Sequence, residues 1–132
     1  MNDGQVVSIV DDDECIRESI DALLRSAGMQ VASFASAEDF LGSDRVRSTE
    51  CLVLDLQMPD MDGLQLQQRL VDDGHKFPIV ILTAHGDGEA CRRALDAGAV
   101  AFLTKPFDSR DLLATVDSVR RTRSPAGTHG RA

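Results

Sequence analysis

The sequence alternates five times between a short aliphatic run and a longer segment whose apolar residues recur at helical spacing. Short β-branched runs are typical of buried strands, whereas apolar residues three and four positions apart form one face of a helix. The predicted strands are Gln5–Val10, Gln30–Phe34, Cys51–Asp55, Pro78–Thr83 and Val100–Thr104. The predicted helices are Glu14–Ala27, Ser36–Leu41, Leu64–Val71, Glu89–Ala97 and Asp108 to about Thr122. This alternation predicts an α/β fold with a parallel sheet and helices on both of its faces.

The order of the strands is limited by how parallel strands can be connected. Crossovers between parallel strands are almost always right-handed, which leaves few topologies for such a chain. The favoured one is a doubly wound (βα)₅ fold, a five-stranded parallel sheet with strand order 2-1-3-4-5. The second strand is short and more polar than the others, so it is predicted near an edge. Gly28 is predicted to end the first helix, and Ser36, with Asp39 three residues later, to cap the second.

A chain of 132 residues with 42% hydrophobic residues is long enough for one compact domain and too short for a second of ordinary size. Because it has no Trp and no Tyr, its core must be mainly aliphatic. We predict one domain over residues 1–122 and a flexible tail over residues 123–132, whose sequence is mostly small, polar and glycine-rich. The tail would either be a linker toward an output domain or an ordinary frayed terminus.

The formal charge of −8 argues against a nucleic-acid-binding surface, which needs clustered Lys and Arg. Acidity suits a metal site or a basic protein partner, although it would also simply keep a protein in solution. The three cysteines form no CxxC pair, so a disulfide framework is not expected and the reducing cytoplasm is the natural setting. The first residues lack a signal-peptide pattern, and no apolar run approaches the roughly 20 residues needed to cross a bilayer.

Polar residues stand at the ends of four predicted strands. Asp11 and Asp12 follow the first, Asp55 ends the third, Thr83 ends the fourth and Lys105 follows the fifth. In the order 2-1-3-4-5 these ends meet at one edge of the sheet, where open α/β sheets bind ligands. Crowded carboxylates repel one another unless a cation intervenes, and carboxylate oxygens suit Mg²⁺. With a hydroxyl and an ammonium group beside them, the set is typical of a phosphoryl-transfer site.

These residues stand in motifs that resemble the receiver domains of bacterial two-component response regulators. The resemblance covers about Val6 to Val119 and rests on the acid pair, on Asp55 in LVLDLQMPDMDG, on ILTAHGD and on FLTKPF, all in family order. GAVAFLTKPF and LTAHGD further resemble the receivers of regulators with a LuxR-type helix-turn-helix, such as the nitrogen-fixation regulators. The family implies a flavodoxin-like fold and a phosphorylation-driven switch that serves the regulation of transcription.

By position, the resemblance implies that Asp55 accepts a phosphoryl group from a sensor histidine kinase. It implies that Mg²⁺ or Mn²⁺ is held by Asp11, Asp12, Asp55 and the backbone carbonyl of Gln57. Gln57 and His85 would be the variable residues beside the phosphate that influence its hydrolysis. Such a protein is a signalling switch that catalyses its own phosphorylation and dephosphorylation, not an ordinary enzyme.

The resemblance also implies a switching mechanism. Thr83 and Lys105 would bind phosphoryl oxygens, and the Lys105–Pro106 peptide would be cis. Thr83 would move inward on activation, and Phe102 would turn into the space that it leaves. The surface of the fourth helix, fifth strand and fifth helix would then engage a partner or a second copy of the chain. Direct binding to nucleic acid or to a membrane is not expected of this domain.

Several of these residues also have simpler interpretations. Asp13 and Glu14 fit the acidic start of a helix, Asp60 and Asp62 an exposed loop, and Gly63 a turn. In the same way, Phe102 would serve as plain core and His85 as a loop residue without a role. The cysteines are expected to be packing residues, with an exposed Cys91 on the fourth helix as the alternative.

Three other functions are alternatives to the switch. Haloacid-dehalogenase-type phosphatases also use an Asp nucleophile and Mg²⁺, but they usually carry a second Asp two residues later, where this chain has Gln57. A flavodoxin-like cofactor domain would need a Ser, Thr and Gly-rich phosphate loop after the first strand, where this chain has acids. A receiver that has lost phosphorylation would not be expected to keep the full set of residues.

Overall fold

The computed structural model of the protein describes residues 5–58, 61–84 and 88–123. Five parallel strands form one sheet in the order β2-β1-β3-β4-β5, as predicted. The strands are β1 (Val6–Val10), β2 (Val31–Phe34), β3 (Thr49–Asp55), β4 (Ile79–Ala84) and β5 (Ala101–Lys105). The short, polar β2 lies at one edge of the sheet, and β5 lies at the other.

A helix follows each strand. The helices are α1 (Glu14–Ser26), α2 (Ala37–Leu41), α3 (Gly63–Asp72), α4 (Gly88–Asp96) and α5 (Ser109–Arg123). The predicted doubly wound α/β class and the predicted elements are therefore confirmed, with strand and helix ends displaced by at most two residues. Gly28 adopts a φ of +89° just after α1, which is the left-handed conformation expected of a glycine that ends a helix.

Side-chain caps explain where the helices begin. The Asp13 carboxylate accepts a hydrogen bond from the backbone of Ile16, and Ser36 accepts one from the backbone of Asp39, as predicted. Asp62 is not a loop residue without structure: its carboxylate caps α3 by accepting from the backbone of Gln65 at 2.9 Å. The Gln65 side chain accepts from the backbone N–H of Asp62 in return, which completes a capping box.

Two apolar layers cover the two faces of the sheet, because alternate residues of a strand point to opposite faces. Cys51 and Val53 of β3 pack in the layer that also contains buried residues of α1 and α5. Leu52 and Leu54 pack in the layer that contains buried residues of α2, α3 and α4. The core is mainly aliphatic, as the absence of Trp and Tyr required.

The cysteines correct one part of the sequence interpretation. None of the three is in a disulfide. Cys51 and Cys91 are buried packing residues, so the alternative of an exposed Cys91 on α4 is wrong, and burial raises the pKa of its thiol. Cys15, in contrast, is exposed at the start of α1 and is not a packing residue.

Parts of the sequence interpretation lie outside the described residues. These are the roles considered for Asp60 and His85 and the flexible character of residues 124–132. Helix α5 extends through Arg123, the first residue of the predicted tail. Within the described ranges, no helix has the length and hydropathy that crossing a membrane requires.

Candidate functional site

Three carboxylates meet at the carboxyl edge of the sheet. Asp11 directly follows β1, and Asp55 is the last residue of the neighbouring β3. Their exposed fractions are 0% and 3%, whereas Asp12 is exposed. One carboxylate oxygen from each of Asp11, Asp12 and Asp55 lies within 4.8 Å of the others. The strand order therefore brings together acids that are more than 40 residues apart in the chain.

Lys105 approaches this acid cluster from the end of β5. Its Nζ lies 3.1 Å from Oδ2 of Asp11 and 3.4 Å from Oδ1 of Asp55. The Lys105–Pro106 peptide bond is cis, as the resemblance implied. One ammonium group is thus shared between two buried carboxylates.

The pKa shifts in the cluster show that the single charge of Lys105 does not fully compensate the charges of the carboxylates. Burial, followed by the neighbouring charge of Asp11, raises the pKa of Asp55 from 3.8 to about 6 despite the opposing effects of Gln57 and Lys105. Burial acts to lower the pKa of Lys105, but the charges of Asp11 and Asp55 outweigh it, so that pKa is raised. The site therefore has an excess of negative charge that an added cation would relieve.

The donor atoms of the cluster fit a hard divalent cation. Asp11 Oδ1 accepts a hydrogen bond from the backbone of Asp13 at 2.9 Å, and Asp55 Oδ1 accepts one from the backbone of Gln57 at 3.1 Å. Asp11 Oδ2 is buried, and among the described residues the Lys105 ammonium is its close partner. A set of carboxylate oxygens of this kind suits Mg²⁺ or Mn²⁺.

An open cleft of about 400 Å³ gives access to the acids. Asp12, Asp55, Gln57 and Lys105 line it, so a small anion entering the cleft would meet both the acids and the ammonium group. Thr83 is buried and is not among the described lining residues, whereas the next residue, Ala84, is. The Thr83 hydroxyl donates only a long hydrogen bond, 3.5 Å, to the Ala84 carbonyl. Thr83 is therefore adjacent in sequence to a residue that lines the cleft, and its hydroxyl group is held only by a weak hydrogen bond.

Phe102 is not a core residue. It lies on β5, paired in register with Ile81 of β4, and 47% of its surface is exposed. The simpler interpretation of Phe102 as plain core is therefore wrong. Phe102 therefore presents an apolar ring to solvent on an edge strand.

Two residues of the site have roles that the sequence did not indicate. A Cβ atom at Gly63 would lie 2.6 Å from the Asp55 carbonyl oxygen and 2.7 Å from the Leu56 Cα, so only glycine lets α3 start this close to β3. Gly63 is thus required by close packing and not by a turn. Arg17 of α1 donates a hydrogen bond from Nη1 to the Asp11 carbonyl oxygen at 2.8 Å.

The sequence matches the family model of the response regulator receiver domain over residues 7–117. The chain belongs to this family. Phosphoryl transfer that switches a signalling state is the general function of receiver domains. The membership confirms the resemblance seen in the motifs and leaves the phosphatase alternative without support.

Receiver domains of known regulators are similar to this one along most of its length. It is 42% identical over 117 residues to the response regulator protein TmoT of Ectopseudomonas mendocina, a match that covers 88% of this chain and 53% of that protein. It is 40% identical over 120 residues to the transcriptional regulatory protein FixJ of Bradyrhizobium diazoefficiens, covering 91% of this chain and 58% of FixJ. The chain thus spans about half the length of the curated relatives that it matches.

The solved structures agree with this assignment. The crystal structure of full-length FixJ from B. japonicum superposes with a TM-score of 0.86 at 39% identity, covering 94% of this chain and 61% of that one. The response regulator StyR superposes with a TM-score of 0.84 at 41% identity, covering 95% of this chain and 63% of that one. The nitrogen-fixation-type resemblance inferred from GAVAFLTKPF is therefore confirmed.

Proposed function

We propose that Asp55 is the phosphoacceptor of this receiver domain. The observation that carries the proposal is the position of its buried carboxylate, grouped with Asp11 and Asp12 and 3.4 Å from the Lys105 ammonium. Burial, followed by the charge of Asp11, raises the pKa of Asp55 to about 6, so a bound cation would favour its ionised form. Only the ionised carboxylate is a nucleophile, so cation binding and phosphoacceptance should be coupled.

The metal ligands would be Asp11, Asp12, Asp55 and the backbone carbonyl of Gln57. When bound, Mg²⁺ supplies charge that offsets the acids and the phosphoryl oxygens. The Asp55 carboxylate attacks the phosphorus of a phosphohistidine, the phosphorus–nitrogen bond breaks, and the imidazole leaves with the electron pair. The product is an acyl phosphate, which hydrolyses slowly and resets the switch.

Lys105 and Thr83 would hold the transferred group. The Lys105 ammonium already lies beside Asp55 Oδ1, so it can pair with a phosphoryl oxygen with little movement. The Thr83 hydroxyl is weakly held and close to the cleft, so a phosphoryl group of charge near −2 would attract it. Phe102, which is exposed, would then turn toward the space that Thr83 leaves.

The proposed partners follow from this scheme. A sensor histidine kinase in the cytoplasm would donate the phosphoryl group, and a chain without a disulfide framework suits that compartment. The surface formed by α4, β5 and α5 would bind an output domain or a second copy of the chain. Residues 123–132 would serve as the linker to an output domain that regulates transcription, in keeping with the names of relatives of which this chain covers only 51% and 58%.

The test is incubation with acetyl phosphate and Mg²⁺, with intact mass and size-exclusion elution measured on the same samples. We expect the mass to increase by one phosphoryl group, and we expect Asp55→Asn to abolish the increase. Asp44→Asn is the matched control, because Asp44 is an exposed acid before the start of β3 whereas Asp55 ends that strand. Labelling of the Asp55→Asn variant at another residue would refute the assignment, and unchanged elution of the phosphorylated protein would refute dimerisation.

A further inference from the structure

Hydrogen bonds that involve the backbone hold the turn from β1 into α1. The Asp11 N–H donates to the Phe34 carbonyl of β2 at 3.2 Å, and the Asp13 N–H donates to the Asp11 carboxylate at 2.9 Å. The Asp13 carboxylate in turn caps α1. The Asp11 carbonyl oxygen accepts from the Arg17 guanidinium at 2.8 Å, so a side chain of α1 reaches back to the residue that opens the acid cluster.

The bond from Arg17 bears on Asp12 as well as on Asp11. The carbonyl of Asp11 and the N–H of Asp12 belong to the same planar peptide, so fixing the carbonyl fixes the direction in which the Asp12 Cα leaves the strand. Asp11 is completely buried and is held by packing. Asp12 is exposed, so the orientation of its carboxylate depends on the backbone beneath it.

Arg17 also differs from Lys105 in what it contacts. Lys105 pairs with carboxylate oxygens of Asp11 and Asp55, the atoms that a cation would need. Arg17 binds a main-chain oxygen and leaves those carboxylate oxygens accessible. A guanidinium group stays charged at any physiological pH, so Arg17 can keep this contact whether or not the cluster holds a cation.

We propose that Arg17 is a positioning residue for the metal site, acting through the Asp11–Asp12 peptide. The inference rests on the metal site proposed above. Groups that orient metal ligands through hydrogen bonds typically change metal affinity about 10-fold to 100-fold when they are removed. We therefore expect Arg17→Met, which keeps an unbranched apolar side chain but removes the guanidinium donors, to weaken Mn²⁺ binding about 10-fold or more.

The same helix offers a matched control. Arg25 donates from Nη2 to the Val31 carbonyl of β2 at 2.7 Å, a guanidinium-to-carbonyl bond across six residues, as in Arg17. Arg25 lies near the end of α1 that is farther from Asp11 and Asp12, and it also forms an ion pair with Asp21. Arg25→Met therefore removes a bond of the same kind, and we expect it to leave Mn²⁺ affinity within about two-fold of the unchanged protein.

The experiment measures Mn²⁺ binding by the loss of the electron paramagnetic resonance signal of free Mn²⁺. Urea unfolding in chelator compares the stability of the variants with that of the unchanged protein. Arg17→Lys, which keeps the charge but replaces the guanidinium by a shorter ammonium donor, should bind with intermediate affinity. The acetyl phosphate reaction adds a second measure. Arg17→Met should need about 10-fold more Mg²⁺ for half-maximal rate, but at saturating Mg²⁺ it should react within about two-fold of the unchanged rate.

The outcomes separate the possible failures. Unchanged Mn²⁺ affinity in Arg17→Met, or equal weakening in Arg17→Met and Arg25→Met, would overturn the positioning role. If the unchanged protein does not bind Mn²⁺, the proposed metal site itself fails. Should Arg17→Met not fold, Arg17→Lys and Arg25→Lys form the corresponding pair, and equal affinities in that pair would overturn the role as well.

Discussion

Replacing Asp55 by Asn should stabilise the metal-free domain at neutral pH but not in acid. The folded state holds Asp55 with a pKa of about 6, against 3.8 for an exposed aspartate, chiefly because the carboxyl group is buried and secondly because Asp11 lies beside it. A group whose pKa is raised by folding stabilises the folded state below the lower value, and that contribution is lost as the pH rises through the higher one. One pKa unit corresponds to ~1.4 kcal/mol, so the loss amounts to about 3 kcal/mol between acid and neutral pH.

The asparagine amide resembles the protonated carboxyl group, so the variant escapes this loss. We expect the gain in unfolding free energy of Asp55→Asn over the unchanged protein to be about 2 to 3 kcal/mol larger at about pH 7.5 than at about pH 4. Comparing the gain at two pH values removes any difference in packing between the two side chains. The assay is urea unfolding in chelator, monitored by far-ultraviolet circular dichroism because the chain has no Trp or Tyr.

The control and the metal test the same argument. Asp44→Asn, at an exposed position, should change the unfolding free energy by less than about 0.5 kcal/mol at either pH. Excess Mg²⁺ should stabilise the unchanged protein more than Asp55→Asn, because only the former keeps all three carboxylates. An Asp55→Asn gain that is the same in acid and at neutral pH would show that the acid cluster does not oppose folding.

Three further predictions follow from single contacts. Lys105→Met should lower the rate of acetyl phosphate labelling about 10-fold or more. The same variant should bind Mn²⁺ with equal or higher affinity, because a positive charge beside the proposed metal ligands is removed, and weaker Mn²⁺ binding would contradict this. Gly63→Ala should lower the urea unfolding free energy by about 3 kcal/mol, whereas Gly88→Ala, where a Cβ has free space, should be neutral or stabilising. Gln67→Met should change the unfolding free energy by less than about 1 kcal/mol, because the Gln67 amide donates to Ala94 but its buried carbonyl has no hydrogen-bond partner among the described residues. A larger loss would show that the bond between α3 and α4 contributes more to stability than this.

The fold was predictable because its determinants are local. The alternation of strand and helix patterns set the class, and strand order then followed from the general rules of connection. Helix starts were visible where a side chain caps its own helix, as Ser36 does. The clustering of Asp11 and Asp55 was also predictable, because residues at the ends of neighbouring parallel strands must lie close together.

Features that depend on how helices pack were not predictable. Hydrophobicity alone assigns Gln67 to solvent and Val71 to the core, yet Gln67 is 1% exposed and Val71 is 49% exposed. The reason is a contact across helices, since the Gln67 amide donates to the Ala94 carbonyl of α4. The contact of Arg17 and the packing role of Gly63 were not predictable for the same reason, because a bond to a carbonyl or a close approach of backbones leaves no periodic pattern in the sequence.

Strand β3 connects two ends of the molecule. Asp55 stands at its carboxyl end, and near its start Glu50 forms an ion pair with Arg120 of α5 at 2.8 Å. Glu50 is largely buried, so separating the pair would leave its charge without compensation. Any polypeptide that continues beyond α5 would thus start from a helix that is paired with β3 near the end of the strand opposite Asp55. We therefore expect a change at Asp55 to reach such a polypeptide through the surface of α4, β5 and α5 and not by displacement of the end of α5.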